Sequence, residues 1–273
     1  MSDTCIFTMA NDFYLDGCMV MIYSFLTTNK NYNGDIIVFC DDVFLTLSEE
    51  SIKKLKSISD KIHVKKINSE QYKDAIENIK TLGANENLKS TLLKFEMFKN
   101  EYKYKYKCWI DSDMVVKDDI SAFLYSKNFS ICNDKSGIDK YYNSGIFCVD
   151  TDCFVVDNPF ELLLLISKIC KKEFFVKKGT WHGKLPDQDV INEMLGLLVK
   201  RITVFEGKIW NLQQQERDEE IVNKAKVIHY LGAYKPFING ENGHYKTHSV
   251  YNQYRDMLYE FFENLEKNGN TDN

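Results

Sequence analysis

Two short stretches of this chain carry residues whose types and spacing suit phosphate chemistry. The first, His229-Tyr230-Leu231-Gly232-Ala233-Tyr234-Lys235-Pro236-Phe237, brings together an imidazole, a glycine turn and a cation. A neutral imidazole coordinates a borderline metal, glycine lets backbone N–H groups approach an anion, and an ammonium neutralises what remains. The trio fits a metal-bound diphosphate. It equally fits a strand, Val227 to Tyr230, that ends in a glycine turn stiffened by proline. The second stretch is Cys108-Trp109-Ile110-Asp111-Ser112-Asp113-Met114-Val115-Val116, an apolar, β-prone run holding two carboxylates at i and i+2. In an extended chain that spacing puts both on one side. Like charges so close resist joint ionisation unless a cation joins them, and hard oxygen ligands suit Mg²⁺ or Mn²⁺. An acidic loop after a core strand has the same appearance, so Asp-x-Asp alone decides nothing.

The elements that must position these residues alternate between strand and helix, which predicts an α/β fold. Residues 5–9, 35–40 and 62–67 read as strands. Leu15, Cys18, Met19, Ile22, Phe25 and Leu26 fall at helical spacing, so that helix should bury one face. Ser48 caps a helix through Ile58, and residues 88–99 read as a helix carrying Lys94 before the strand that leads to Asp111. This first half is of roughly Rossmann type. Strands follow at 129–133 and 146–150. Asn158-Pro159-Phe160-Glu161 is a helix start with its cap, and Pro186 opens a helix through Leu198. Strands near 201–205 and 226–230 should complete the sheet. A terminal helix with an aromatic face spans 251–265, and residues 267–273 should be disordered.

Composition is that of an ordinary enzyme. The 273 residues suffice for a substantial core, and a net charge of −5 argues against nucleic acid as the main partner. Tyr102-Lys103-Tyr104-Lys105-Tyr106-Lys107 mixes cations with aromatics, but in an acidic chain it reads as a solvated turn. Cys5, Cys18, Cys40, Cys108, Cys132, Cys148, Cys153 and Cys170 contain no Cys-x-x-Cys pair and read as buried thiols of a reducing compartment. No run approaches the ~18 apolar residues of a membrane span. The start, Met1-Ser2-Asp3-Thr4, lacks the basic lead of a signal peptide, so the expected location is cytoplasmic, the host cytoplasm if the source is viral.

Taken together, the two stretches resemble the retaining glycosyltransferases of family 8, glycogenin-like and lipopolysaccharide galactosyltransferase-like. Further matches occur in that family's order. Thr8-Met9-Ala10-Asn11-Asp12-Phe13-Tyr14 is similar to its opening strand and uridine-binding turn, and Asn143-Ser144-Gly145-Ile146-Phe147 to its acceptor-side strand. Leu185-Pro186-Asp187-Gln188-Asp189 is similar to its Asp-Gln helix start, and Lys94 stands where the family carries a donor-contacting lysine. The resemblance implies a GT-A fold with a Rossmann-like nucleotide-binding half and a mixed central sheet. It implies a catalytic domain over 1–245, followed by a C-terminal helix and tail over 246–273.

The implied activity is retaining transfer of a hexose or pentose from a UDP-sugar to a glycan, protein or small-molecule acceptor. Mn²⁺ (or Mg²⁺) would sit on Asp111, Asp113 and His229, with Gly232 and Lys235 at the diphosphate. Thr8, Asn11 and Tyr14 would surround the uracil, Asp111 would also lie near the ribose, and Ser112 would belong to the substrate site. Lys94, Asn143, Ser144 and Gly145 would line the substrate site, and Asp187 and Gln188 would act at the donor sugar. Residues 206–226 contain no tyrosine, so self-glycosylation at the place glycogenin uses it is not expected, and Phe237 replaces a frequent tryptophan. The aromatic terminal helix could serve a homodimer. Two other readings remain open. Asp111-Ser112-Asp113-Met114-Val115 also fits the start of a haloacid-dehalogenase-like, Mg²⁺-dependent phosphatase, with the first aspartate as nucleophile. A catalytically silent nucleotide-sugar-binding protein would keep the same pocket.

Overall fold

The computed structural model describes residues 2–81, 86–134, 140–169, 186–232, 235–239 and 246–269. Cys170, His182, Leu185, Ala233, Tyr234, His244 and the last four residues of the expected tail lie outside them. Seven strands form the central sheet: β1 (Thr4–Met9), β2 (Asp35–Cys40), β3 (Ile62–Lys66), β4 (Tyr106–Ile110), β6 (Phe129–Asn133), β7 (Tyr142–Asp150) and β8 (Ile202–Phe205), in the order β3-β2-β1-β4-β7-β6-β8. Strands β3, β2, β1 and β4 run parallel, and β8 runs parallel to β6. Strand β7 is antiparallel to both of its neighbours, β4 and β6, which makes the sheet mixed.

Alternation along the strands builds a core on each face. Ile6, Ile36, Val38, Cys108, Ile110 and Ile146 point to one side. Phe7, Ile37, Phe39, Trp109, Phe147 and Val149 point to the other. Helix α1 (Leu15–Thr28) covers the first side, together with α2 (Glu49–Ile58), whose Leu55 and Ile58 join the same core. Helices α3 (Lys73–Thr81), α4 (Pro159–Ile169) and α5 (Pro186–Leu198) cover the second side with the 3-10 segment Glu86–Phe98. Seven cysteines are buried free thiols, as their apolar settings implied.

The structure corrects several expectations. Residues 227–229 do not join the central sheet; β10 (Val227–His229) pairs antiparallel with β5 (Met114–Val116) and parallel with β9 (Leu212–Gln213) in a separate three-stranded sheet. That small sheet packs on α1, so α1 is buried on nearly every side rather than on one face. The segment carrying Lys94 is wound as a 3-10 rather than an α-helix. Residues 92–98 are all buried, so tertiary packing rather than local propensity sets its backbone. The C-terminal helix α6 (Lys246–Gly269) begins earlier and ends later than its aromatic face suggested. It makes residues 267–269 helical and ties into the core through Tyr251 and Leu258. Tyr102 and Lys107 are buried, so the Tyr-Lys run is no solvated turn.

Candidate active site

The acidic pair sits where the main sheet hands the chain to the small one. Strand β4 ends at Ile110, the chain turns through Asp111, Ser112 and Asp113, and β5 begins at Met114. The carboxylates are therefore gathered by a turn, not by an extended strand. Pairing of β5 with β10 sets His229 opposite Met114, and the Tyr230 N–H donates to the Asp113 carbonyl at 2.9 Å. His229 Nε2 lies 3.2 Å from Asp113 Oδ1 and 3.8 Å from Asp111 Oδ2. One ligand atom from each of Asp111, Asp113 and His229 falls within 4.8 Å of the others.

These residues fit a divalent cation. Two carboxylates and an imidazole form a mixed oxygen and nitrogen donor set of the kind such ions take. Asp113 Oδ1 is buried and accepts no hydrogen bond among the described residues, an open ligand position that costs energy unless something fills it. Its other oxygen is held by the Lys235 ammonium, which also donates to the Tyr230 carbonyl at 2.7 Å. Burial alone would raise the Asp113 carboxyl, but Lys235 and His229 hold it well below the usual carboxylate range. Asp111 is shifted the other way: burial pushes it up, Lys94 opposes this, and the neighbouring Asp113 adds to it.

Lys94 joins the acidic turn to Asp187. Its fully buried ammonium lies 2.6 Å from Asp187 Oδ2 and 3.3 Å from Asp111 Oδ1, and donates to the Ser144 carbonyl at 3.1 Å. An ammonium has three protons, and these partners account for all of them. Lys94 therefore organises carboxylates rather than reaching outward. Burial would lower its pKa, but Asp111 and Asp187 raise it above the ordinary lysine value. Asp187 is held below its ordinary value by Lys94 and by the Ser144 hydroxyl, which donates to Oδ2 at 2.7 Å, against the upward push of burial.

Asn143, Ser144 and Gly145 lie inside β7, beside the acidic turn, where the Asp111 N–H donates to the Gly145 carbonyl at 2.8 Å. Gln188, in the first turn of α5, accepts from Asn143 Nδ2 at 3.0 Å and from the Ser144 N–H at 3.1 Å. Gly145 is a matter of space: a Cβ there would stand 2.4 Å from His229 Cε1 and 2.6 Å from Met114 Cε. Gly232 is exposed and has φ +76°, a left-handed turn that keeps its backbone open.

The remaining predicted residues are more scattered. Tyr14 is half-buried, with Lys235 Nζ 5.5 Å from its ring centroid and the Phe237 ring at 5.6 Å. Asn11 caps the short 3-10 turn that holds Tyr14, accepting from its N–H at 2.9 Å. Thr8 is fully enclosed in β1, and its hydroxyl has no hydrogen-bond partner among the described residues. Ser112 is buried at the turn.

A model of glycosyl transferase family 8 matches residues 5–239. The chain belongs to glycosyl transferase family 8. Comparison with curated protein sequences returns no match. Among solved structures, the galactosyltransferase LgtC in complex with donor and acceptor sugar analogs superposes with a TM-score of 0.60 at 14% identity, over 93% of this chain and 96% of that one. The apo bifunctional glycosyltransferase WbbM gives 0.65 at 18% identity, over 95% of this chain and 51% of that one. The glycosyltransferase GlyE of Streptococcus pneumoniae TIGR4 gives 0.61 at 13% identity, over 97% and 64%. The fold is GT-A, and the chain is a glycosyltransferase. Family membership removes the phosphatase reading, and the geometry agrees. Asp111 Oδ1 already accepts from Trp109 Nε1 at 2.6 Å and pairs with Lys94, a poor setting for a nucleophilic carboxylate. Among the described residues no helix is long and apolar enough to cross a membrane.

Sequence reasoning missed Asn211. Its Oδ1 lies 3.0 Å from His229 Nδ1, and its Nδ2 donates to Asn143 Oδ1 at 2.7 Å. It precedes a two-residue strand, and nothing in its local sequence marks it.

Proposed function

We propose that this family 8 glycosyltransferase moves a sugar from a UDP-sugar donor with retention of anomeric configuration, and that it uses Mn²⁺ held by Asp111, Asp113 and His229. The observation that carries this reading is the convergence of those three side chains beside Lys235, with Asp113 Oδ1 left open toward His229. A bound divalent cation would supply Lewis-acid neutralisation of the diphosphate as it leaves. Mg²⁺ suits the same donor set.

The protein's own residues divide the remaining work. Lys235 and the open backbone at Gly232 add fixed positive potential where the leaving group gains charge, which favours the transition state over the bound donor. Asp187, kept ionised by Lys94 and Ser144, accepts hydrogen bonds from donor-sugar hydroxyls. Gln188 has its Oε1 occupied by Asn143 and Ser144, so it meets the sugar through its amide N–H groups. Tyr14, with Asn11 shaping its turn, borders the uracil site, and the buried Thr8 and Ser112 belong to the donor-binding region. The acceptor is a glycan, a protein or a small molecule.

The test is release of UDP from a panel of UDP-sugars, with and without Mn²⁺, followed by intact mass of the protein. Metal-dependent release from one donor supports the reading and names the sugar; added sugar mass identifies the chain as its own acceptor. UDP binding without release from any donor overturns it in favour of a silent binding protein.

A further inference from the structure

We propose that Asn211 is a positioning residue that keeps a proton on His229 Nδ1 and holds the ring so that Nε2 is the nitrogen turned toward Asp111 and Asp113. Backbone N–H groups, which can only donate, set every assignment in this relay. The Gly145 N–H can only donate, so the Asn143 atom 2.9 Å from it is the oxygen Oδ1. The Asn211 atom 2.7 Å from that oxygen must then be the donor Nδ2. Asn211 Oδ1 is thereby turned toward His229 Nδ1 at 3.0 Å, and two lone pairs cannot meet there, so Nδ1 carries the proton. The far end of the relay agrees independently. The Ser144 N–H makes the Gln188 atom it meets an oxygen, which requires Asn143 to present Nδ2 to it, the same orientation the Gly145 N–H demands. Side-chain amide orientation and imidazole tautomer ordinarily have to be chosen. Here two backbone donors choose both.

The consequence is specific. A neutral imidazole in water has either nitrogen protonated, and only one tautomer offers Nε2 to a cation. A ligating histidine whose other N–H is held by an acceptor keeps its ring orientation and gains basicity, and losing such a partner typically weakens metal binding ~10–100-fold. Asn211, Asn143 and His229 are all buried, so water is poorly placed to substitute for the missing acceptor. The relay also joins the cation end of the site to Gln188, so the two halves of Asn211's amide do separable jobs: Oδ1 serves His229 and Nδ2 serves Asn143.

The tautomer claim stands on the protein alone; its consequence for the cation rests on the proposed metal site. The first measurement is therefore nitrogen NMR of the metal-free protein labelled in its five histidines, with His229→Gln assigning the signal. Nδ1 of pyrrole type is the expected result; Nδ1 of pyridine type overturns the proposal whatever the metal does. The second is titration with Mn²⁺ alone. Asn211→Ala should weaken Mn²⁺ binding ~10–100-fold. Asn211→Asp keeps an acceptor for Nδ1–H but sets a carboxylate oxygen against Asn143 Oδ1. It should keep the tautomer and hold Mn²⁺ within about threefold of wild type, while UDP-sugar binding weakens through Gln188. Unchanged Mn²⁺ affinity in Asn211→Ala, or equal loss of both ligands in the two variants, would show that Asn211 merely fills space. If wild type fails to bind Mn²⁺, the metal reading falls and the NMR still decides the tautomer.

Discussion

Gly145 offers the sharpest test of how the site is assembled, because adding one methyl group should disable it without touching a ligand. A Cβ at this position would lie 2.4 Å from His229 Cε1 and 2.7 Å from His229 Nδ1. Ordinary carbon contacts are ~3.5–4.0 Å, so the imidazole must retreat by about 1 Å. The backbone of β7 is a poor alternative hinge. The Gly145 carbonyl accepts from the Asp111 N–H at 2.8 Å, its N–H is held by Asn143, and Ile146 stands in register with Ile110. Overpacking of this kind costs about 1–3 kcal/mol of stability. Its effect on function should be larger in proportion. Metal–ligand distances tolerate only ~0.2 Å, and a 1 Å misplacement in an active site costs ~10²-fold in rate. Gly145→Ala should therefore fold, as judged by circular dichroism and a modestly lowered Tm. It should bind Mn²⁺ at least ~10-fold more weakly and release UDP at least ~10²-fold more slowly. Turnover within about threefold of wild type would refute the placement of His229 against β7, since no relaxation that small could clear a 2.4 Å contact.

Three further outcomes follow from the same geometry. Asp113→Asn should nearly abolish metal-dependent UDP release while leaving the fold intact, and a near-normal rate would remove this residue from the metal site. Lys94→Met strands Asp111 and Asp187 without their buried counter-charge, so urea unfolding should show a loss of about 3–5 kcal/mol. Adding Asp187→Asn should recover part of that loss, and a double variant no more stable than the single one would contradict the pairing. Lys107 is a buried amine that, among the described residues, donates only to the Met97 and Lys99 carbonyls at 3.0 and 3.2 Å, and burial lowers its pKa to about 8. Because its folded pKa lies below the unfolded value of ~10.4, the charged form opposes folding, and wild type gains stability as pH rises from 8 toward 10. The buried thiols drift the opposite way in both proteins, so the stability gap between wild type and Lys107→Met is the quantity to measure. The difference, wild type minus variant, should rise by about 1–3 kcal/mol between pH 7 and 10, and a constant difference would mean that Lys107 does not titrate there.

What the sequence disclosed and what it concealed divide by the range of the interactions involved. Strands β1, β2, β4 and β6 were legible because each is an apolar run flanked by turn residues, and Ser48 and Asn158 announced the helices they cap. The acidic turn and His229 were legible as residue types suited to one cation. The small sheet was not, because strands of two and three residues carry no periodicity and exist only through pairing. That sheet is the device that brings residue 229 to residue 113. Lys94 shows the same limit at a single side chain. Its sequence neighbours suggest one more helix lysine, and only the packing of the 3-10 segment against β4 reveals an ammonium spent wholly on its own protein. Asn211 had no signal at all, since its role is defined by two partners 18 and 68 positions away.

The charge inventory of the site explains why these long-range constraints converge. Three carboxylates, Asp111, Asp113 and Asp187, are met by two ammonium groups, Lys94 and Lys235. Asp113 has Lys235 to itself, and Asp187 lies nearer to Lys94 than Asp111 does, so the deficit of positive charge falls on Asp111. That is the one carboxyl of the three held above its ordinary range. A fixed third cation at this place would balance the site and leave no reason for it to hold a metal. The shortage is maintained instead by sharing Lys94 between two acids, and a buried shortage of this kind is costly until a mobile cation makes it good. A divalent ion would more than make it good, turning a net-negative cluster positive where the proposed function puts a diphosphate. On the proposed function, cation and nucleotide binding should therefore be interdependent: either alone meets a mismatched charge, and the pair together does not.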